Sequence, residues 1–239
     1  IGKWLRGCGL SVGRKKRGLV FHDVGHGWTC APLGLIENES PMNATEENRQ
    51  LMAIVGGKRG NRSIAQSIQL CYSNPEARRK MTDYCVSYVE EHPEVDAVHF
   101  WLADGERNHC ECENCIKKRP TDWYIDILNE LDEKLSVKGL DTKIVYCAYL
   151  DLLWKPVESK FNNPDRFILM IGPIARDYVK SYGEVGELPD EPLYQRNKMV
   201  NPTDIESNVA HLLRIKETCN TEAFTFEYYY WRGGNEHYT

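Results

Sequence analysis

Six short runs rich in β-branched and aromatic residues, at 19–22, 68–72, 97–102, 143–149, 166–171 and 223–230, alternate along this chain with amphipathic stretches, and nothing else in the sequence constrains its fold as tightly. Each run reads as a buried strand. Between them Asn74-Pro75-Glu76 opens a helix to about Glu91, Thr121 or Asp122 caps a second to about Val137, and Thr203 or Asp204 caps a third to about Thr218. Near-continuous apolar strands separated by helices imply a parallel sheet with helices on its outside, joined by right-handed crossovers. The expected fold class is α/β, a (β/α)8 TIM-type barrel, with residues 1–239 forming a single domain and 41% hydrophobic content supplying its core. Six strands are visible where a barrel has eight, so at least one is expected before Ile1 or after Thr239. A chain that opens on Ile1 rather than Met, inside a helical pattern, reads as an excised part of a longer protein.

With 30 basic against 35 acidic residues the net charge is -5, which gives no electrostatic reason to expect a nucleic acid or an anionic membrane as partner. The one basic run, Arg14-Lys15-Lys16-Arg17, reads as the solvated end of a helix leading into the first strand. No run of about twenty apolar residues is present to span a bilayer, and no signal peptide is visible.

In a barrel, chemistry sits at the carboxyl ends of the strands. The polar residues there are His22, Asp23 and His26, Ser73 and Asn74, Asp104 and Glu106, Asp151, Arg176, and Trp231 with Arg232. Asp104 and Glu106 flank Gly105, so in extended backbone both carboxylates project from one face, a spacing suited to general acid chemistry beside a substrate-orienting group. The alternative is a polar turn that favours Asp and Gly for backbone reasons alone. The loop from His22 to Trp28 offers His22 and His26 as donors to sugar hydroxyls and Trp28 as a stacking platform, or it is simply structural. Metal binding by His22 and His26 would need a helix, which Gly25 and Gly27 oppose. Near the end, Glu227, Tyr229 and Trp231 share one strand face and Phe226, Tyr228 and Tyr230 the other. One set can line a cleft while the other packs, and Tyr146, Tyr149 and Trp154 invite the same two readings.

Nine cysteines, an odd number spread through apolar runs and loops, do not form a disulfide framework. Cys85 and Cys147 read as small core residues. Cys110-x-Cys112-x-x-Cys115 has the spacing of a thiolate metal knuckle, with Cys30 or His109 as the fourth ligand. A zinc ion held by four such ligands would be structural; a local disulfide or free thiols are the alternatives.

The motifs Gly-His-Gly-Trp at 25–28, Gly-Gly-Lys-Arg at 56–59, Leu-Cys-Tyr-Ser-Asn-Pro-Glu at 70–76, Trp-Leu-Ala-Asp-Gly at 101–105, Cys-Glu-Cys-Glu-Asn-Cys at 110–115 and Glu-Tyr-Tyr-Tyr-Trp at 227–231 resemble, in this order, the bacterial domain of unknown function 4838, associated with glycoside hydrolase family 163. The resemblance covers nearly the whole chain. It implies a secreted, periplasmic or cell-surface barrel enzyme that cleaves the chitobiose core of N-glycans as an endo-β-N-acetylglucosaminidase, with an oligosaccharide or glycoprotein as substrate and no cofactor for catalysis. It further implies that Asp104 polarises the substrate's 2-acetamido group and that Glu106 is the general acid and base, with Glu227 the next candidate for the acid. Other readings are an α-glucuronidase-like or exo-acting hexosaminidase on the same barrel, a non-catalytic carbohydrate-binding domain, and a zinc-stapled interaction domain.

Overall fold

A computed structural model describes residues 17–23 and 25–228. Strand β1 (His22–Asp23) is followed by a short helix α1 (Glu46–Arg49) and an antiparallel hairpin of β2 (Ile54–Val55) and β3 (Lys58–Arg59). Then come α2 (Pro75–Glu91), β4 (Ala97–His99), α3 (Pro120–Val137), β5 (Lys143–Ala148), β6 (Phe167–Ile171), α4 (Ile205–Cys219) and β7 (Glu222–Thr225). The main sheet has five strands, all parallel, in the order β1-β4-β5-β6-β7. Its spatial order follows the chain order, so every crossover steps in the same direction across the sheet.

Local chemistry sets the helix ends. Asn74 accepts the Glu76 amide and Pro75 occupies the first helical position, which starts α2. Asp204 accepts the Ser207 amide to start α4, and Asn220, at φ 52, ends it in the left-handed conformation. The start of α3 differs from expectation. Pro120 takes the first position and Arg119 the cap, because the fixed φ of proline already suits a first helical turn. Thr121 and Asp122 therefore fall inside the helix, where the Thr121 hydroxyl donates to Trp154 O at 2.5 Å and Asp122 Oδ1 accepts the amides of Val157, Glu158 and Ser159 at 2.9, 2.8 and 2.8 Å.

The run at 68–72 does not join the main sheet. Leu70 forms an isolated antiparallel bridge with Met52, and Cys71 N–H donates to Leu51 O, so its backbone pairs with the 51–53 segment and β1 pairs directly with β4. The link from β5 to β6 is made by turns at Leu150–Leu153 and Pro164–Arg166 in place of an α-helix.

All the long helices among the described residues pack on one face. Met81, Cys85 and Val89 of α2, Ile125, Leu128, Leu131 and Leu135 of α3, and Ile215 and Cys219 of α4 join Val98, Phe100, Ile144, Tyr146 and Leu169 in the main core. The period-two alternation of strands sends Ala97, Trp101, Val145, Cys147, Tyr149 and Met170 to the opposite face, in a smaller cluster of their own. No helix among the described residues is long and apolar enough to cross a membrane. Tyr229 and Trp231, like Arg14, Lys15 and Lys16, lie outside the described residues.

Candidate active site

The carboxyl ends of the five strands bring together side chains from each crossover. Parity with Ala97 and Trp101 places His99 on the helix-free face, where its Nε2 meets His22 Nδ1 from β1 at 2.9 Å. Burial, with His22 beside it, pushes His99 down to about 4, and burial lowers His22 as well, so the pair is neutral near pH 7 and shares one proton between the facing nitrogens. The Trp101 ring stands edge-on to His99 at 5.4 Å and to His26 at 5.0 Å. His26 Nδ1 lies 3.0 Å from Leu102 O; a carbonyl can only accept, so this nitrogen carries a proton.

Asp104 is half-buried at the end of this segment. Its Oδ1 accepts the Tyr149 hydroxyl at 3.2 Å and the Gly105 amide at 2.8 Å. Burial, and the negative charge of Asp104 next to it, hold the Tyr149 hydroxyl well above the ordinary phenol range, so it remains a proton donor to the carboxylate. Tyr228 closes in from the end of β7: its amide donates to the Tyr178 hydroxyl at 2.8 Å, and its own hydroxyl would lie only 3.3 Å from a Cβ at Gly172. Glycine at 172 thus lets Tyr228 approach β6.

Arg176, after β6, donates to Glu227 Oε2 at 3.0 Å, and the two side chains are only 4% and 12% exposed. The guanidinium lies between Tyr178 and Tyr182, 4.8 and 4.4 Å from their ring centres, while the Tyr182 hydroxyl donates to Glu227 Oε1. Both Glu227 oxygens therefore act as fixed acceptors. Three buried nitrogens on this side, His99 Nδ1, Trp101 Nε1 and Arg176 Nε, have no hydrogen-bond partner. Thr29 Oγ1, Asp122 Oδ2 and Asn208 Oδ1 are buried without a partner elsewhere in the described residues, so such atoms are not peculiar to this side.

The chain matches no family model, no curated protein and no solved structure. The resemblance read from the motifs thus stands on those motifs alone.

Several expected roles change once the side chains are placed. Asp104 and Glu106 do not share a strand face: Gly105 between them has φ +100, so the backbone turns there, and Glu106 is exposed. Asn74 is engaged as the cap of α2. Tyr146 lies on the helix-covered face with its hydroxyl 2.9 Å from Thr221 Oγ1; three positions from Tyr149, it must point the opposite way. Trp28 is mainly core, stacked 5.6 Å from Phe100 with its Nε1–H donating to His99 O at 2.7 Å. One edge of it, with His26, Asp23, Glu37, Tyr84 and Tyr88, lines an open cleft of about 490 Å³ beside β1. Asp104 and Tyr149 are not part of that lining. Asp151 is buried, accepting from the Tyr194 hydroxyl at 3.0 Å and the Asn197 amide at 3.2 Å, and burial raises its pKa.

The cysteine group also differs from expectation. Cys71, Cys110, Cys112 and Cys115 place their sulfurs within 4.8 Å of one another and form a set able to hold a metal ion. Cys30 is not in it. A turn at Ala31–Leu33 follows Cys30 and buries it in the main core, where its thiol donates to Gly27 O at 3.4 Å and burial pushes its pKa up to about 11. His109 is not in the group either; it is buried, and its backbone is clasped by the Asn197 side chain at 2.9 and 2.8 Å. Sequence reasoning passed over Cys71, His99, Trp101 as a site residue, and Tyr228. For His99 and Trp101 the signal was their alternation with Ala97 inside one apolar run.

Proposed function

We propose that this chain is a glycoside hydrolase acting on β-linked N-acetylglucosamine in N-glycans, an endo-β-N-acetylglucosaminidase built on a (β/α)8 barrel of which the five-stranded sheet is the described part. Sheet order in step with chain order, helices confined to one face and polar groups gathered at the strands' carboxyl ends all support the barrel. The observation that carries the enzymatic reading is the Asp104 carboxylate at the carboxyl end of β4, bonded to the Tyr149 hydroxyl of the neighbouring β5 crossover. The His26 ring stands 6.4 Å from that of Tyr149 and 5.0 Å from that of Trp101.

In this reading the acetamido oxygen of the substrate attacks its own anomeric carbon while the bond to the leaving sugar breaks and a general acid protonates the departing oxygen. Asp104 accepts the acetamido N–H and stabilises the positive charge that develops on the oxazolinium ring, and Tyr149 fixes the carboxylate's orientation. Water, deprotonated by the same acid residue in its basic form, then reopens the ring. Glu106, exposed at the rim beyond the bend, is the candidate for that acid. Glu227, paired with Arg176, is better suited to orienting a sugar hydroxyl. No cofactor enters the chemistry, and a zinc ion at the cysteines would be structural. A secreted, periplasmic or cell-surface location is what the resemblance implies.

The exposure of Glu106 and the pairing of Glu227 favour one other reading, a carbohydrate-binding domain without turnover. Incubating the full-length protein with an N-glycoprotein and weighing the released glycans separates the two. Glycans released so as to leave one N-acetylglucosamine on asparagine support the endo-hydrolase; single sugars point to an exo-acting enzyme, and saccharide binding without release to the binding domain.

A further inference from the structure

Four cysteines from two stretches of chain about forty residues apart converge beside the turn that carries Asp104. Cys71 lies just before α2, and Cys110, Cys112 and Cys115 lie in the loop between β4 and α3. The sulfur of Cys71 is 3.7 Å from that of Cys112 and 3.8 Å from that of Cys115. Four sulfurs about 2.3 Å from a tetrahedral ion would stand about 3.8 Å apart, whereas a disulfide would draw two of them to about 2.0 Å. Backbone amides also point at the sulfurs: Ile54 to Cys110 at 3.4 Å, Ser73 to Cys115 at 3.3 Å and Cys115 to Cys112 at 3.4 Å. Such donors suit thiolates, which accept hydrogen bonds far better than thiols do. Ala53, Ile54 and Val55 form an apolar wall around the group, and three of its four cysteines are buried.

We propose that Cys71, Cys110, Cys112 and Cys115 bind one zinc ion in tetrahedral all-sulfur coordination, and that this metal fixes the loop bearing Asp104 against the start of α2 and the β2–β3 hairpin. Four sulfur ligands leave no coordination position for water, so the ion is structural. Binding releases the thiol protons in exchange for the metal. An outer layer supports the loop: Arg196 donates to Cys115 O at 2.8 Å and the Trp123 indole donates to the same oxygen at 3.0 Å. The site is independent of the hydrolase reading, since its geometry would brace a binding domain equally well.

Metal analysis of the purified full-length protein should find one zinc per chain, and X-ray absorption should find four sulfur neighbours at about 2.3 Å. Cys71→Ser should lower zinc affinity at least tenfold, while Cys30→Ser should leave it unchanged. If Cys71→Ser fails to fold, cobalt exchanged into the wild-type protein should give the visible spectrum of a tetrahedral cobalt–thiolate centre. Metal-free protein with four titratable thiols, a disulfide within the group, iron as the resident metal, nitrogen or oxygen ligands, or a loss of zinc in Cys30→Ser would each overturn the proposal.

Discussion

The two faces of the parallel sheet are built to different rules. On the helix-covered face, Leu128, Leu131, Ile144 and Leu169 are fully buried and the Tyr146 hydroxyl pairs with Thr221, while Asp122 Oδ2 and Asn208 Oδ1 in the helices have no partner. On the other face His99 is 4% exposed and Trp101 9%, yet His99 Nδ1 and Trp101 Nε1 have no partner. The first arrangement is a large apolar core packed by three helices; the second is a smaller cluster in which the unpaired His99 and Trp101 nitrogens lie in the strand segment that leads to Asp104. Helices cover one side of the five strands and the proposed site lies on the other, a division natural to a sheet whose side chains alternate.

That contrast can be broken from either side. Leu131→Ala, on the covered face, should destabilise by about 2–5 kcal/mol, lowering the melting temperature by roughly 2–4 °C per kcal/mol, with saccharide binding per folded molecule unchanged. Calorimetry and a binding titration check both halves. On the other face, His99 is neutral when folded because its pKa falls from 6.5 to about 4. Between those values the unfolded chain binds more protons than the folded one, so stability should fall on the order of 2 kcal/mol as pH drops from about 6.5 to about 4. His99→Gln should flatten the curve in that window, and an unchanged slope would show that His99 is not the group responsible. The smallest effect is expected from Tyr146→Phe, about 1 kcal/mol for one buried hydrogen bond with turnover unaltered, measured by urea denaturation.

Much of this organisation was legible in the chain. Asn74-Pro75 and Asp204 announced the starts of α2 and α4, since cap chemistry is local and needs no knowledge of tertiary partners. The apolar runs at 97–102, 143–149 and 166–171 became central strands because such residues can only be buried on both faces. Other features were not readable. Residues 68–72 have a strand's composition, but pairing with 51–53 rather than β1 is a choice among distant partners. Asp104 and Glu106 separate because Gly105 adopts positive φ, and spacing arguments assume an extended backbone. Cys71 is the instructive omission: Cys-x-Cys-x-x-Cys declared itself by spacing, while the fourth sulfur arrives through the fold, 39 residues before Cys110. Tyr146 and Tyr149 carried a usable signal, because odd spacing along a strand sends two rings to opposite faces.

The most direct test is to measure turnover and affinity together in Asp104→Asn, using an N-glycoprotein for hydrolysis and chitobiose for binding. The predicted result is turnover reduced roughly 10²–10⁴-fold with affinity and melting temperature nearly unchanged, as expected for a carboxylate that acts on the developing charge. Turnover equal to that of the wild-type protein would contradict the assignment of the helix-free face as the catalytic one.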